Sequence, residues 1–284
     1  MIKSLRKLGI MQGRLSPPVN NRMQAFPGNN WKKEFYFCKK LGLNCIEWIY
    51  DTLPNNPFCS DDGIKEMMEF SKTYDVQINS LLTDYFMEIK LFGENKAEVD
   101  KAIEMLYFVI TQCHKCNIPI IEIPLVDSSA LKTENNKKEF FENLQDPLEY
   151  AKRYNIDISL ETSLPPKEFR EYILSFKPFN IKVNYDMGNS AALGYNPTEE
   201  IELLGEFIVN VHIKDRVKGG GTVPLGTGDT DFQSVFNALN HCNYTKDFIL
   251  QGARQDLSGY KEKKEAVETI KNYINFIKPL LEGN

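Results

Sequence analysis

The sequence predicts an α/β fold, a single-domain (β/α)8 TIM barrel. Short apolar runs rich in β-branched residues alternate along the chain with longer segments of helical periodicity. The strand–helix units follow one another without a low-complexity linker, and their number, eight, is the number that closes a parallel barrel. The chain has 284 residues, close to the roughly 250 that such a barrel takes as one unit. We therefore expect one barrel domain over residues 1–284.

The predicted strands are short, and several end in polar residues. They are expected at Lys7–Gln12, Asn44–Tyr50, Val76–Leu82, Ile118–Pro124, Ile156–Glu161, Ile181–Asp186, Ile208–Ile213 and Asp247–Gln251. The alternative is an open, doubly wound sheet, which binds dinucleotides through a GxGxxG turn after its first strand. The residues after the first predicted strand, Gly13-Arg-Leu, lack that pattern, which favours the barrel.

Helical spacing of apolar residues fills the segments between the strands. Helices are expected at Trp31–Leu41, from Asp61 or Asp62 to Tyr74, at Ala97–Cys116 and Asn136–Tyr154, after Pro165-Pro166, and at Pro197–Gly205, Phe232–Cys242 and Glu262–Leu281. Gly42 follows the first of these helices as a stop signal, and Asp231 is a suitable N-cap for the seventh. A long loop rich in Pro, Gly and Asn is expected between the first strand and the first helix.

Composition and charge exclude several classes of partner. Hydrophobic residues make up 42% and charged residues 26%, which is ordinary for a globular protein. The net charge of −5 argues against nucleic acid as the main partner, because a surface that binds phosphates is usually basic. No run approaches the roughly 18 apolar residues of a membrane span, and no apolar segment follows Lys3, Arg6 and Lys7 to make a signal peptide. A cytoplasmic protein is expected.

Six cysteines in a chain of this length do not indicate a disulfide scaffold. Cys113 and Cys116 form a CxxC pair at the end of a predicted helix. A zinc or redox site is one interpretation, but no second CxxC completes a tetrahedral site. We favour small buried core residues in a reduced compartment.

Polar residues lie at or near the ends of the last four predicted strands. These residues are Glu161, Asp186, His212 and Gln251. In a barrel the carboxyl ends of neighbouring strands meet at one mouth, so we expect the four side chains to converge. Two carboxylates, an imidazole and an amide oxygen suit one divalent ion such as Mn²⁺, Co²⁺ or Zn²⁺. The alternative is that each is a polar strand end bonded to a neighbouring loop.

The same region carries a family resemblance. It rests on four segments, Leu160-Glu161, Tyr185-Asp-Met-Gly-Asn189, Val211-His-Ile-Lys-Asp215 and Pro224-Leu-Gly-Thr-Gly-Asp229. Together they resemble the sugar phosphate isomerase/epimerase superfamily, whose fold is the xylose isomerase-like TIM barrel. L-xylulose-5-phosphate 3-epimerase-like and hexulose-6-phosphate isomerase-like members are the most similar in these segments. The resemblance is strongest over residues 156–254.

The resemblance implies a metal site and a reaction. In these families four strand-end residues bind one divalent metal, and two glutamates among them move a proton next to a sugar carbonyl. The first three ligands match Glu161, Asp186 and His212. The fourth position, which the family fills with glutamate, is Gln251 in this chain. The resemblance also implies association of barrels into homo-oligomers.

The glutamine changes the expected chemistry. Its oxygen can ligate a metal, but its amide does not donate or accept a proton at neutral pH. General acid–base catalysis contributes roughly 10²–10⁴-fold and needs a titratable group. Glu161 and Gln251 are therefore the two candidate catalytic positions, with Glu161 alone as the base.

Further candidates lie near the expected mouth. Glu47 is an acid in an apolar strand that could contact substrate or pair with a barrel cation, and Glu122 is similar. Asn189 is a candidate ligand for a sugar hydroxyl, and Lys214 and Arg254 could hold substrate oxygens or a phosphate. Arg14 and Asp84, after the first and third strands, are additional candidates.

The sequence thus predicts a metal-dependent isomerase or epimerase of a small sugar or sugar phosphate. Two alternatives remain open. One is a metal-dependent dehydratase of a polyol-derived ketone, and the other is a non-catalytic sugar-binding homologue, which Gln251 keeps under consideration. A DNA-repair endonuclease on the same barrel is disfavoured, because its multi-metal cluster needs many histidines and the chain has three.

Overall fold

The structure is a computed structural model that describes residues 8–254 and 263–282. A closed barrel of parallel strands forms its centre. The strands are β1 Leu8–Met11, β2 Cys45–Ile49, β3 Gln77–Leu82, β4 Ile120–Leu125, β5 Asp157–Thr162, β6 Lys182–Asp186, β7 Ile208–Ile213, β8 Asp215–Arg216, β9 Thr222–Val223 and β10 Asp247–Leu250. Strands β1 to β7 pair in sequence order, and β10 closes the ring between β7 and β1. The predicted single-domain TIM barrel is confirmed.

Helices surround this barrel. They are α1 Trp31–Lys40, α2 Asp61–Tyr74, α3 Tyr85–Glu88, α4 Lys96–Cys116, α5 Glu134–Arg153, α6 Pro166–Ser175, α7 Met187–Leu193, α8 Pro197–Leu204, α9 Phe232–His241 and α10 Lys263–Glu282. Side-chain caps set several of the starts: Ser60, Asn95 and Thr133 each accept a backbone N–H from the first turn of the following helix. None of the described helices has the length and apolar composition needed to cross a membrane.

Most predicted boundaries lie within one or two residues of the observed ones, and β7 matches completely. Lys7 and Glu262, the expected starts of the first strand and the last helix, lie outside the described residues. Three observed features were not predicted: helices α3 and α7, and the antiparallel ribbon of β8 and β9. All are too short to show a periodic pattern in the sequence.

The register of β6 and β7 stacks two polar layers inside the barrel. Asp186 pairs with His212 in the upper layer, and Asn184 pairs with Asn210 in the layer beneath. Alternate residues of a strand point to the same face, so each of the two strands supplies one residue to each layer. All four side chains are buried.

An apolar cluster also lies inside the barrel. Met11, Cys45, Ile49, Leu82 and Ile249 form a compact cluster of buried residues from the strands on the other side of the ring. Outside the barrel, the cysteines of the CxxC pair lie buried as free thiols in the main core.

Candidate metal and substrate site

Three of the predicted metal ligands converge at the ends of β5, β6 and β7. Glu161, Asp186 and His212 each offer a ligating atom, and these atoms lie within 4.8 Å of one another. All three residues are buried. Because they come from adjacent parallel strands, the barrel alone accounts for their approach.

The imidazole of His212 has a different carboxylate pair on each nitrogen. Its Nδ1 lies 3.5 Å from Glu161 Oε2 and 3.8 Å from Asp186 Oδ2. Its Nε2 lies 2.7 Å from Glu47 Oε1 and 3.2 Å from Glu122 Oε2. Glu47, Glu122 and His212 thus form a second group of potential ligands, deeper in the barrel.

The lower amide layer fixes these groups in place. The Asn210 amide donates to Glu47 Oε2 at 2.6 Å, and Ser80 Oγ donates to the same oxygen at 2.6 Å. The Asn184 amide lies 3.0 Å from Glu161 Oε2 and 3.1 Å from His212 Nδ1. In the neutral ring this places the lone pair on Nδ1 and the proton on Nε2, directed at Glu47.

The electrostatics of the cluster favour a cation. Burial opposes a charge on His212, but the Glu122 and Glu47 carboxylates outweigh it and raise the pKa of the imidazole well above its usual range. Burial also raises the pKa of Glu122 well above its usual range, and the nearby negative charges of Glu47 and Glu161 add to this increase. A site with this many buried acids needs a positive charge, which either a proton or a metal ion can supply.

Two of the acids remain ionised. Burial would raise the pKa of Asp186, but Lys214, 3.1 Å away, and His212 hold it well below its usual range. Burial and the Asp186 charge likewise oppose ionisation of Glu161, yet hydrogen bonds and the charge of His212 leave its pKa below normal. Carboxylates in this state are suitable metal ligands.

Gln251, the fourth predicted ligand, directly follows β10. Its Oε1 is buried and has no hydrogen-bond partner among the described residues. A buried oxygen without a partner is costly unless an ion or water satisfies it. The three converging ligands and this oxygen fit a divalent cation, and their mix of oxygen and nitrogen donors matches Mn²⁺, Co²⁺ or Zn²⁺.

A cavity of about 340 Å³ opens at this end of the barrel. Its wall includes Arg14, Gln24, Asp51, Asp84, Glu161, Asn189, Lys214 and Gln251. Gln251 Nε2 donates to Gln24 Oε1 at 2.8 Å, and Gln24 Nε2 donates to both oxygens of Asp84 at 3.1 and 2.9 Å. A continuous hydrogen-bonded wall therefore runs from the fourth ligand position to the end of β3.

Two of the expected substrate-binding residues face elsewhere. Arg254 donates to the carbonyls of Gly13, Ser16 and Met23 and thereby holds the loop after β1, and it does not line the cavity. Glu47 is completely buried, does not line the cavity and pairs with the imidazole of His212.

The other two expected substrate-binding residues do reach the cavity. Lys214 lines it while pairing with Asp186. Asn189 also lines it, but both ends of its amide are engaged: Nδ2 donates to Glu161 Oε1, and Oδ1 accepts from Arg216 at 2.7 Å. Asn189 therefore orients the Glu161 carboxylate.

The Gly-rich loop after β7 folds around a buried carboxylate. Asp215 accepts backbone N–H bonds from Gly226, Thr227, Gly228 and Thr230, at 2.9–3.1 Å. Gly226 has φ +84°, and a Cβ on Gly228 would lie 2.4 Å from the Asp215 carboxylate, so these positions require glycine. This arrangement fixes the loop beside Lys214.

Sequence reasoning missed several residues of the site. Asn184 and Asn210 precede two ligands by two positions, and that alternation was a usable signal. Gln24 and Asp51 lie in irregular loops, where no periodicity indicates which side chains turn inward.

Comparison with known proteins identifies the family. The family model for the xylose isomerase-like TIM barrel matches residues 35–278, and the chain belongs to that family. Among curated relatives, L-ribulose-5-phosphate 3-epimerase UlaE of Escherichia coli (strain SMS-3-5 / SECEC) is 21% identical over 245 residues, covering 82% of this chain and 86% of the relative.

Solved structures share the fold at low identity. D-psicose 3-epimerase of Clostridium cellulolyticum H10, determined with D-tagatose, has a TM-score of 0.78 at 16% identity and covers 97% of this chain and 99% of its own. The IolI protein, determined with a zinc atom, has a TM-score of 0.76 at 18% identity, with 96% and 99% covered. The two relatives named as enzymes are thus sugar epimerases.

Proposed function

We propose that the protein is a divalent-metal-dependent isomerase or epimerase of a small sugar or sugar phosphate, with Glu161 as the base. One observation carries this proposal. The Glu161 side chain belongs both to the cation cluster, through Oε2 near His212 Nδ1, and to the wall of the cavity. A carboxylate in that position reaches a bound substrate while it remains next to the metal site.

Glu161, Asp186, His212 and Gln251 would hold the metal. A divalent ion supplies Lewis acidity there, because it polarises a carbonyl oxygen and stabilises the negative charge that develops on it. Glu47 orients the imidazole by accepting a hydrogen bond from its Nε2–H, which leaves Nδ1 as the ligating nitrogen.

The residues of the chain provide the proton transfer. Glu161 removes a proton from the carbon next to the carbonyl and thereby generates an enediolate. Asn189 holds the other oxygen of the same carboxylate, which limits its rotation. The Lys214 ammonium adds positive charge at the cavity wall, where it can contact substrate oxygens.

The relatives support ketoses as the substrate class. L-ribulose 5-phosphate appears in the name of one relative and D-psicose in the name of another. The cavity contains both charged and polar groups, which suits a polyhydroxylated ligand.

Solvent exchange tests the proposal directly. The protein is stripped with a chelator, reloaded separately with Mn²⁺, Co²⁺ or Zn²⁺, and incubated in D2O with D-psicose, L-ribulose and L-ribulose 5-phosphate. We expect metal-dependent deuterium incorporation at a carbon next to the carbonyl, detected by NMR and mass spectrometry, and an isomeric product.

The absence of exchange into all these sugars with every metal would contradict the proposal. Loss of water from the sugar in place of isomerisation would identify the dehydratase. Saturable binding of a sugar without any exchange would identify the non-catalytic homologue that Gln251 allows.

A further inference from the structure

We propose that Asp84 is the second proton-transfer group of this site and supplies the acid that Gln251 cannot. This inference rests on the proposed function, because it concerns the return of a proton to the substrate after Glu161 has removed one. The two residues enter the cavity from different strands, Glu161 from β5 and Asp84 from the end of β3, with β4 between them.

The local geometry directs Asp84 towards the cavity. It occupies the N-cap position of the short helix α3, yet its side chain makes no capping hydrogen bond. Aspartate at that position ordinarily accepts a backbone N–H of the first turn. Here both carboxylate oxygens accept from Gln24 Nε2, and Asp84 lines the cavity wall.

Gln24 connects this carboxylate to the position where the family has its second glutamate. Its Oε1 accepts from Gln251 Nε2 at 2.8 Å and from Arg14 Nη2 at 3.2 Å, while its Nε2 donates to Asp84. In this chain the titratable group, Asp84, therefore lies at the end of β3. Hydrogen bonds through Gln24 connect it to Gln251 at the end of β10, where the family has its second glutamate.

The surroundings give Asp84 a suitable acidity. Burial raises its pKa to about 7, the nearby Asp51 and Glu161 charges add to the increase, and Gln24 and Arg14 act in the opposite direction. Asp127, after β4, is a further acid on the same cavity. A group with this pKa donates and accepts protons at neutral pH, which is what acid–base catalysis needs.

Other acids on the cavity are less suited. Asp51 uses its oxygens to accept the backbone N–H groups of Phe26 and Leu53, at 2.8 and 3.0 Å. Glu88 pairs with Arg22 at the exposed rim. Asp84 differs from both, because both of its oxygens accept from Gln24, the residue that also accepts from Gln251.

The proton balance is simple. Glu161 takes a proton from carbon, and the electron pair of the C–H bond forms the enediolate. The Asp84 carboxyl then gives its proton to the enediolate and becomes a carboxylate. Proton exchange with water returns both acids to their starting states.

The test compares wild type with Asp84→Asn in D2O, using D-psicose and L-ribulose 5-phosphate as probes. Asparagine keeps the size of the side chain and an oxygen for Gln24. We expect product formation to fall by about 10²-fold or more. Deuterium exchange into unreacted sugar should persist, because Glu161 alone can remove and return a proton. A purely structural role for Asp84 would lower both rates together.

Asp127→Asn is the matched control, because it also removes a carboxylate from the cavity. Asp127 is exposed and has φ +49°, a conformation that asparagine adopts readily. We expect this variant to keep the wild-type ratio of product to exchange.

The pH dependence gives a second readout. Product formation by wild type should decline as the pH rises through about 7 and Asp84 loses its proton, and this decline should disappear in Asp84→Asn. Carbon NMR of labelled aspartate should show the Asp84 carboxyl titrating near the same pH, whether or not sugar is present.

Three results would overturn the assignment or its basis. A wild-type product-to-exchange ratio in Asp84→Asn contradicts the role of Asp84 alone. So does an Asp84 carboxyl that titrates in the ordinary acidic range. No exchange by wild type contradicts the proposed function, and the assignment that rests on it falls as well.

Discussion

The two sides of His212 contain the same chemical groups in opposite settings. Glu161 and Asp186 flank Nδ1 at the strand ends, and Glu161 also lines the cavity. Glu47 and Glu122 flank Nε2 inside the barrel, where both are completely buried. Access to the cavity therefore separates Glu161, which can act on a ligand, from Glu47 and Glu122, which can act only through the imidazole.

The largest difference is expected for Glu161→Gln against Glu122→Gln. The first substitution removes the proposed base, and we expect deuterium exchange into D-psicose to fall by about 10³-fold. The second leaves the cavity wall unchanged, and its exchange rate should stay within several-fold of wild type. Equal losses in the two variants would mean that access to the cavity does not separate the two sides.

Glu200→Gln examines a buried carboxylate that lies away from His212. Ser190 donates to Glu200, and burial raises the pKa of Glu200 from 4.5 to about 7, with the Asp186 charge adding to the increase. The folded state therefore holds this proton more tightly than the unfolded chain. Stability is lost as the pH rises from about 4.5 to 7, and glutamine avoids that loss.

We expect Glu200→Gln to be more stable than wild type by roughly 2–3 kcal/mol at pH 8 and to show little gain near pH 4.5. Urea denaturation at the two pH values measures this difference. An equal effect at both pH values would show that packing at this position, and not ionisation, determines the result.

Glu47→Gln tests whether the buried pair, Glu47 and Glu122, acts through the imidazole. Glutamine can present an oxygen to Nε2 but lacks the charge that strengthens the hydrogen bond. We expect metal affinity to fall about 10–100-fold, measured by chelator competition with Mn²⁺ or Zn²⁺. Glu122→Gln should have a smaller effect, since Glu122 lies farther from Nε2 than Glu47.

The smallest expected effect is that of Gln251→Glu. A fourth charged ligand should raise metal affinity about tenfold or less, because the neutral oxygen already occupies the position. The same competition assay measures it. Weaker binding would indicate that the hydrogen bond from Gln251 to Gln24 has a larger effect on the site than the charge of the ligand.

The sequence predicted the fold and the convergence of the strand-end residues for the same physical reason. Parallel strands of a barrel end at one mouth, so Glu161, Asp186 and His212 could be placed together without knowledge of any loop. Glu47 was noticed as an acid in an apolar strand, but its partner could not be identified, because the register across the barrel determines which interior residues meet.

The loops were much less predictable. Arg254 follows the eighth barrel strand, where a phosphate-binding arginine was a reasonable expectation, and only the folded loop after β1 reveals its carbonyl partners. Gln24 had no pattern to single it out. Side-chain directions in irregular segments depend on tertiary contacts, which local sequence does not encode.

The hydrogen bonds from Arg254 to the loop after β1 also affect the order in which the chain can fold during its synthesis. They join residues separated by 231 to 241 positions, so the loop after the first strand lacks these anchors until the last barrel strand has been synthesised. Contacts of such long separation form late, because the intervening chain must already be ordered. A nascent chain on the ribosome would therefore carry Glu161, Asp186 and His212, the proposed metal ligands, well before the mouth of its barrel is complete.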